Sequence, residues 1–393
     1  MRGQIRKRGK NSWAVIVYLG RDPETGKDRR KWFSHRTRIE AERHLAQLVS
    51  YIHGGGALPS TRLSLGDYLR QWLDAKASAG LAPTTMRSYQ ETVRVHLAPE
   101  LGSIPLQRLS PESIDAYCKK KLQTGLSTTS VRYQVMVLHQ ALERAVRRGL
   151  LARNPCDMVQ PPAPRRQEIR VWDDEQVRLF LAEAKRSSVH YRLYLTALLT
   201  GLRQGELLGL RWRDVDLLIG TINVQQQFYR LGGQQIFSAP KTGRGRRMVA
   251  LPPIVVEELR KMREEQLEQC RLFGAEYQDK DLIFCQPNGK PLHAHNVAQR
   301  DFRRVLSFQA SRRELRARGV SEELLPKPLP RIRFHDLRHC HATLLLQQGV
   351  HPKVVQERLG HSTVGMTLDT YSHVLPGMQE RAIKALEAVL SDR

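Results

Sequence analysis

Cysteine is scarce in this chain. Five residues in 393 (Cys118, Cys156, Cys270, Cys285 and Cys340) lie far apart, odd in number and without a Cys-x-x-Cys pair. That pattern argues against a disulfide framework and a structural zinc, and for reduced thiols in a cytoplasmic protein. Cys340 reads as a packing residue, because the cations near it have a better use. Long apolar runs are missing too: none approaches the roughly 20 residues that span a bilayer, and no basic amphipathic helix stands out, so no membrane partner is expected. The segment 1–13 has basic residues but no apolar stretch, so no signal peptide is expected. Acidic residues are the third shortage. Against 64 Lys+Arg stand 39 Asp+Glu, a formal charge of +25 and a pI near 10.3. A chain so charged repels itself unless a polyanion is near, which makes nucleic acid the leading partner. What remains is ordinary: 40% hydrophobic and 26% charged residues over a length that supports two or three cores. There is no internal repeat and no low-complexity tract.

Three regions follow from the pattern along the chain. In residues 1–56, Gln4–Arg8, Ser12–Leu19 and Arg29–Ser34 read as short strands, the second apolar on both faces, with a turn at Asp22-Pro23-Glu24-Thr25-Gly26. Arg38–Ile52 reads as a helix closed by Gly54-Gly55-Gly56. Basic strands such as these (Arg6, Lys7, Arg8, Arg29, Arg30, Lys31) suit a β-ribbon laid in a DNA major groove. Residues 63–155 read as all helix. Leu65, Tyr68, Leu69, Trp72 and Leu73 form one apolar stripe; Met86, Tyr89, Val93 and Leu97 a second. Ser110-Pro111 caps a third helix, and Val131, Val135, Leu138, Leu142 and Ala145 mark a fourth. Arg87 and Arg132 are among the basic residues on their outer faces and suit phosphate contacts. Asn154–Pro164 reads as a proline-rich, semi-rigid link.

Residues 165–393 mix helices with strands at Thr221–Gln225, Gln235–Ser238 and Arg247–Leu251, with Lys241 in the turn between the last two. The expected class is therefore multidomain α+β: a three-stranded sheet with one helix, an all-α domain, and a mainly α domain with a small antiparallel sheet. The third region carries a scattered polar set: Arg203, Lys241, His335, Arg338, His361 and Tyr371. Attack on a phosphodiester needs a nucleophile, cations on the non-bridging oxygens and an acid for the leaving oxygen. Tyr371 can be the first. Arg203 and Arg338 can present planar forks to phosphate. His335 and Arg338, three apart, share a helix face. Singly, each has a plainer reading. A tyrosine in a helix usually packs, His-x-x-Arg arises by chance, and His361 after a glycine can cap a helix. His339, His341 and His373 could join His335 around a metal, but no carboxylate or cysteine completes the set, so no metal is expected.

In order, Arg203-Gln204-Gly205-Glu206, Lys241, His335-Asp336-Leu337-Arg338-His339, Leu359-Gly360-His361 and Thr370-Tyr371-Ser372-His373 resemble the tyrosine recombinase, or phage integrase, family. The resemblance extends to 63–155 as a core-site DNA-binding domain and to 1–56 as an arm-type DNA-binding domain. It implies a site-specific recombinase of a prophage or conjugative transposon, working through a 3′-phosphotyrosyl intermediate without ATP, metal or other cofactor. It implies that Tyr371 attacks, that Arg203 and Arg338 hold the non-bridging oxygens, and that Lys241 protonates the leaving 5′ oxygen. His335 would move the proton at Tyr371, His361 would bond the phosphate, and Glu206 would orient an arginine or a histidine. Its partners would be double-stranded DNA at core and arm sites, a homotetramer on synapsed DNA, a DNA-bending host factor and an excisionase. The tail 375–393 would pack on a neighbouring protomer. A type IB topoisomerase-like enzyme and a regulator that keeps the fold without the activity are the rival expectations. Residues 308–333, basic and proline-bearing, lengthen the gap before His335, as a loop over DNA or a tolerated insertion.

Overall fold

A computed structural model of the chain describes residues 3–9, 12–21, 28–53, 63–163, 170–240 and 245–371, with Ile383 and Glu387. Two compact units divide at Gln167 and Glu168.

In the first unit, β1 (Gly3–Gly9), β2 (Ser12–Arg21) and β3 (Asp28–His35) form an antiparallel sheet in that order, followed by α1 (Arg38–His53). The expected strands are all present, each slightly longer. The glycine run 54–56 and the turn 22–26 lie outside the described residues. The two faces of β2 differ more than its sequence suggests. Val15 and Val17 pack with Ala41 and Leu48 of α1. On the alternate positions, Ile16 pairs with Trp32 and Ala14 with Arg6. Trp32 is 44% exposed and lies under the Arg8 guanidinium at 4.8 Å, a cation–π contact that spends the apolar ring without burying it.

Residues 63–163 form a separate helical core of α2 (Leu65–Ser78), α3 (Pro83–Glu91), α4 (Ala98–Leu101), α5 (Pro111–Gln123) and α6 (Thr128–Arg147). Ser64, Ser110 and Ser127 each accept a backbone N–H of the first turn, which satisfies donors that a helix start leaves unpaired. All five stripe residues of α2 and all five of α6 are buried. Between α3 and α4 the helix widens into a π-turn, Thr92–Leu97, which keeps Val93 and Leu97 in the core. The proline-rich link departs from expectation. Pro155–Met158 is a 3-10 turn capped by Asn154, whose side-chain amide donates to the His139 carbonyl, and Cys156 and Val159 join the helical core. The chain thus stays docked past residue 155, because apolar Cys156 and Val159 gain more from burial than an extended spacer allows.

The second unit runs α7 (Asp174–Ser187), α8 (Tyr191–Thr200), α9 (Gln204–Leu208), β4 (Val215–Asp216), β5 (Thr221–Val224), β6 (Gln227–Leu231), β7 (Gln234–Ser238), β8 (Arg247–Ala250), α10 (Pro253–Phe273), α11 (Phe302–Leu306), α12 (Gln309–Ala317), α13 (Asp336–Gln347), α14 (Pro352–Leu359) and α15 (Val364–Tyr371). The single small sheet expected here is two: β4-β5-β8 and the hairpin β6-β7, both antiparallel. β7 and β8, read as neighbours around Lys241, belong to different sheets, and Lys241 itself lies outside the described residues. β6 was missed because Gln227 and Arg230 dilute its alternation. Residues 308–333 are packed and partly helical. Leu325 and Leu329 are buried, and the Trp172 indole donates to the Pro330 carbonyl at 2.9 Å. Among the described residues no helix is long and apolar enough to cross a membrane.

Candidate active site

Five of the six motif residues have described side chains, and all of them lie in the second unit. The local fold that aims them rests on two left-handed helix ends. α8 stops at Gly201 (φ 66°) and α14 at Gly360 (φ 64°). Glycine adopts that backbone without penalty, and the turn exposes the last carbonyls of the helix. Arg338 uses them. One terminal nitrogen of its guanidinium donates to the Gly201 carbonyl at 2.7 Å and the other to Leu359 at 2.6 Å. Arg203 donates to the Gly360 carbonyl at 3.3 Å. A Cβ at position 201 would stand 2.6 Å from His341 and 2.8 Å from Leu359, so the turn is closed to any larger residue.

Glu206 is the hub on the other side. Its carboxylate is 2% exposed. It accepts from the Arg203 backbone N–H and guanidinium, both at 2.9 Å, and from Arg247 at 2.9 and 3.1 Å. Burial pushes its pKa up, but the hydrogen bonds and charge of Arg247, with help from Arg203, more than offset that and hold it below the ordinary value. Glu206 therefore orients Arg203, as the resemblance implies, and it also binds Arg247, which the sequence reading did not single out. Arg247 in turn donates to the Arg358 carbonyl at 2.6 Å. Its place as the first residue of the short strand β8 gave no periodic signal of this.

Arg338 is 3% exposed and, among the described residues, bonds carbonyls but no carboxylate. Burial, then the nearby Arg203 charge, push its pKa down to about 9. A guanidinium stays charged in proteins, so the depression marks a cation short of counter-charge. His361 is 9% exposed and shares a hydrogen bond of 2.9 Å with the Thr367 hydroxyl. Burial, then Arg338 and Arg203, lower it to about 4. His335 opens α13 on the exposed side, its pKa lowered by desolvation and then by Arg338.

Tyr371 is the last residue of α15, whose first turn is tied by the Thr363 hydroxyl to the Met366 N–H. The phenol is 1% exposed, and burial raises its pKa. Its hydroxyl lies 2.7 Å from Nδ1 of His339. Sequence reasoning weighed His339 only as a metal ligand and gave the tyrosine to His335. His341, another of that set, is bound to the Leu198 carbonyl at 2.8 Å. Cys340 packs at 0% exposure, with burial raising its thiol to about 11.

The expected DNA-binding residues lie elsewhere. Arg6, Lys7, Arg8 and Arg30 are exposed on the N-terminal sheet, and Arg87 and Arg132 on the helical core. Arg29 and Lys31 lie in β3, Lys31 in register with Val17; their side chains lie outside the described residues, as does the tail 375–393 apart from Ile383 and Glu387. The helical core also presents Ser88, Thr129, Ser130 and Tyr133 around an open cavity of about 380 Å³, the Ser88 and Tyr133 hydroxyls 2.9 Å apart.

Known proteins share the sequence pattern and the fold. The phage integrase family model covers residues 170–378, and the phage integrase N-terminal SAM-like domain covers 64–122. The tyrosine recombinase XerC-like protein of Caldanaerobacter subterraneus is 31% identical, over 97% of both chains. The ICEBs1 integrase of Bacillus subtilis is 28% identical over 98% of this chain and all of its own. Among solved structures, the Tn1549 transposon integrase with transposon right end DNA superposes with a TM-score of 0.67 at 22% identity, over 82% of this chain and 99% of that one. A lambda integrase tetramer bound to a Holliday junction gives 0.56 at 20%, over 93% and 94%. The fold is that of these proteins, and the chain belongs to the phage integrase family of tyrosine recombinases.

Proposed function

We propose that this chain cuts and rejoins DNA at specific sites to integrate or excise a mobile element, with Tyr371 as nucleophile. The observation that carries this is the cation excess around a buried phenol. Arg203 and Arg247 act on Arg338 through their charge, and Glu206 is the carboxylate that Arg203 and Arg247 share. A phosphodiester supplies the missing negative charge, and the charge that grows on its non-bridging oxygens in the transition state meets donors that are already fixed. Arg203 and Arg338 hold those oxygens, His361 bonds the phosphate, and Glu206 keeps Arg203 aimed. His335 faces the substrate side. Lys241 gives a proton to the departing 5′ oxygen. The phosphotyrosyl ester stores the energy of the broken bond, so a 5′-hydroxyl from a partner strand reverses the step without ATP.

The three-domain reading assigns arm sites to residues 1–56, core sites to 63–155 and chemistry to 165–393. In it, the sheet residues Arg6, Lys7, Arg8, Arg29, Arg30 and Lys31 and the helical residues Arg87 and Arg132 contact DNA. Synapsis uses a homotetramer, as the lambda integrase tetramer on a Holliday junction suggests, with the tail 375–393 reaching a neighbour. A bending factor and an excisionase set direction, on DNA in the cytoplasm of a bacterial cell. The test is a duplex nicked beside the cleavage site, which loses its short strand and traps the adduct. Wild type accumulates a covalent complex whose linkage mass spectrometry places on Tyr371, and Tyr371→Phe accumulates none. An adduct in Tyr371→Phe sinks the reading.

A further inference from the structure

The buried phenol poses a proton problem. At 1% exposure, the Tyr371 hydroxyl does not lie open to bulk water, yet it must lose its proton when its oxygen bonds to phosphorus. Among the described residues, its hydroxyl meets Nδ1 of His339 at 2.7 Å, with the ring centroids 5.6 Å apart and inclined at 56°. The His335 ring stands one place removed, 5.5 Å from that of His339 and perpendicular to it. We propose that His339 is the base that accepts the Tyr371 proton. This rests on the recombinase reading above and assigns within it a catalytic residue that the motif order gives to His335.

In the forward step the Tyr371 oxygen–phosphorus bond forms while its O–H bond breaks, and the proton passes to Nδ1. The phosphorus–5′ oxygen bond breaks, and the leaving oxygen takes a separate proton from Lys241. In reversal the 5′-hydroxyl oxygen bonds to phosphorus and gives its proton back to the Lys241 amine, while the oxygen–phosphorus bond of Tyr371 breaks and the phenolate retakes the proton from Nδ1. The geometry has a simple origin. α13 fixes Arg338 by two backbone carbonyls, and His339 is the next residue on the same rigid helix. Arginine and acceptor are therefore set together, while α15 brings the phenol to them from its C-terminal end.

The charged surroundings keep this acceptor ready and idle. Burial, then His335, hold the His339 pKa down to about 4, with Asp336 opposing and Arg338 and Arg333 adding to the depression. The imidazole is thus neutral near pH 7, and its Nε2-protonated tautomer offers the Nδ1 lone pair to the phenol. Burial also raises the phenol, against the pull of Arg338 and with the push of Cys340 and Asp336. Without DNA the proton stays on oxygen. Transfer becomes favourable only as the oxygen is esterified and the arriving phosphate offsets the positive charge that a protonated His339 adds.

Single-turnover adduct formation on the nicked duplex tests this from pH 5 to 9, with DNA affinity measured alongside. His339→Gln keeps a hydrogen-bond acceptor but not a base, and His339→Ala keeps neither. Expected is a loss of about 10²-fold in both, the usual weight of a general base, at wild-type DNA affinity. The variant rates should climb with pH where wild type is flat, and added imidazole should restore part of the His339→Ala rate. Wild-type speed in His339→Gln overturns the proposal. So does a loss that imidazole does not rescue and that leaves the pH profile flat, which is the signature of a group that only positions the ring. Tyr371→Phe run in parallel separates the cases: an adduct there defeats the recombinase reading itself, whereas no adduct there with His339→Gln unimpaired defeats only the role of His339.

Discussion

Arginines serve the two units in opposite ways. In the first, Arg6, Arg8, Arg30, Arg87 and Arg132 are exposed to solvent, where each charge is screened. In the second, Arg338 is 3% exposed, and the Arg247 side chain 7%. Burying a guanidinium is costly unless every donor finds an acceptor. Here helix-terminal carbonyls supply the acceptors and Glu206 much of the counter-charge. The comparison teaches that attraction to a polyanion can be spread over a surface, whereas a site that must recognise one phosphate has to fix its donors beforehand, at the expense of solvation.

Changes at the buried set should break this contrast most severely. Arg338→Lys loses the fork that spans Gly201 and Leu359, and adduct formation should fall by about 10²–10³-fold, the range for removing a transition-state donor. DNA affinity, measured by titration, should hold within a few-fold; an equal loss in both would place Arg338 among the general attractors. Next comes Glu206→Gln, which leaves two arginines facing a neutral amide. Removing one partner of a buried ion pair costs about 3–5 kcal/mol, readable as a lower denaturant midpoint. The same carboxylate sharpens the contrast through pH. Its folded pKa is lowered, so its stabilisation is complete above the ordinary carboxylate value and is lost as pH falls through the lower folded one. Melting temperatures taken downward from pH 5 should therefore drop more steeply in wild type than in Glu206→Gln. The smallest effect belongs to the exposed set. Arg132→Ala should weaken DNA binding a few-fold and reduce the salt slope by about 1, as one lost phosphate contact does, with no change in cleavage rate at saturating DNA. A change in that rate would show that the surface and buried arginines are not separable.

The stripes of α2 and α6 and the Ser110 cap could be read directly, because each is a local rule acting within one or two turns. Motif order located Arg203, His335, Arg338, His361 and Tyr371, yet it did not reveal which histidine meets the phenol. His335 and His339 are one helical turn apart, and only the packing of α15 against α13 distinguishes them. Arg247 was invisible for a similar reason: its partner Glu206 is 41 residues away. The pairing of β5 with β8 across the β6-β7 hairpin also depends on distant chain, which no short window contains.

The carbonyls of Leu359 and Gly360 sit side by side and bind Arg338 and Arg203 respectively, and His361 follows at once. Three consecutive residues thus hold both guanidinium groups and carry a buried imidazole. A shift of that short corner by an ångström would displace all three together, so the corner's rigidity is what keeps their mutual spacing.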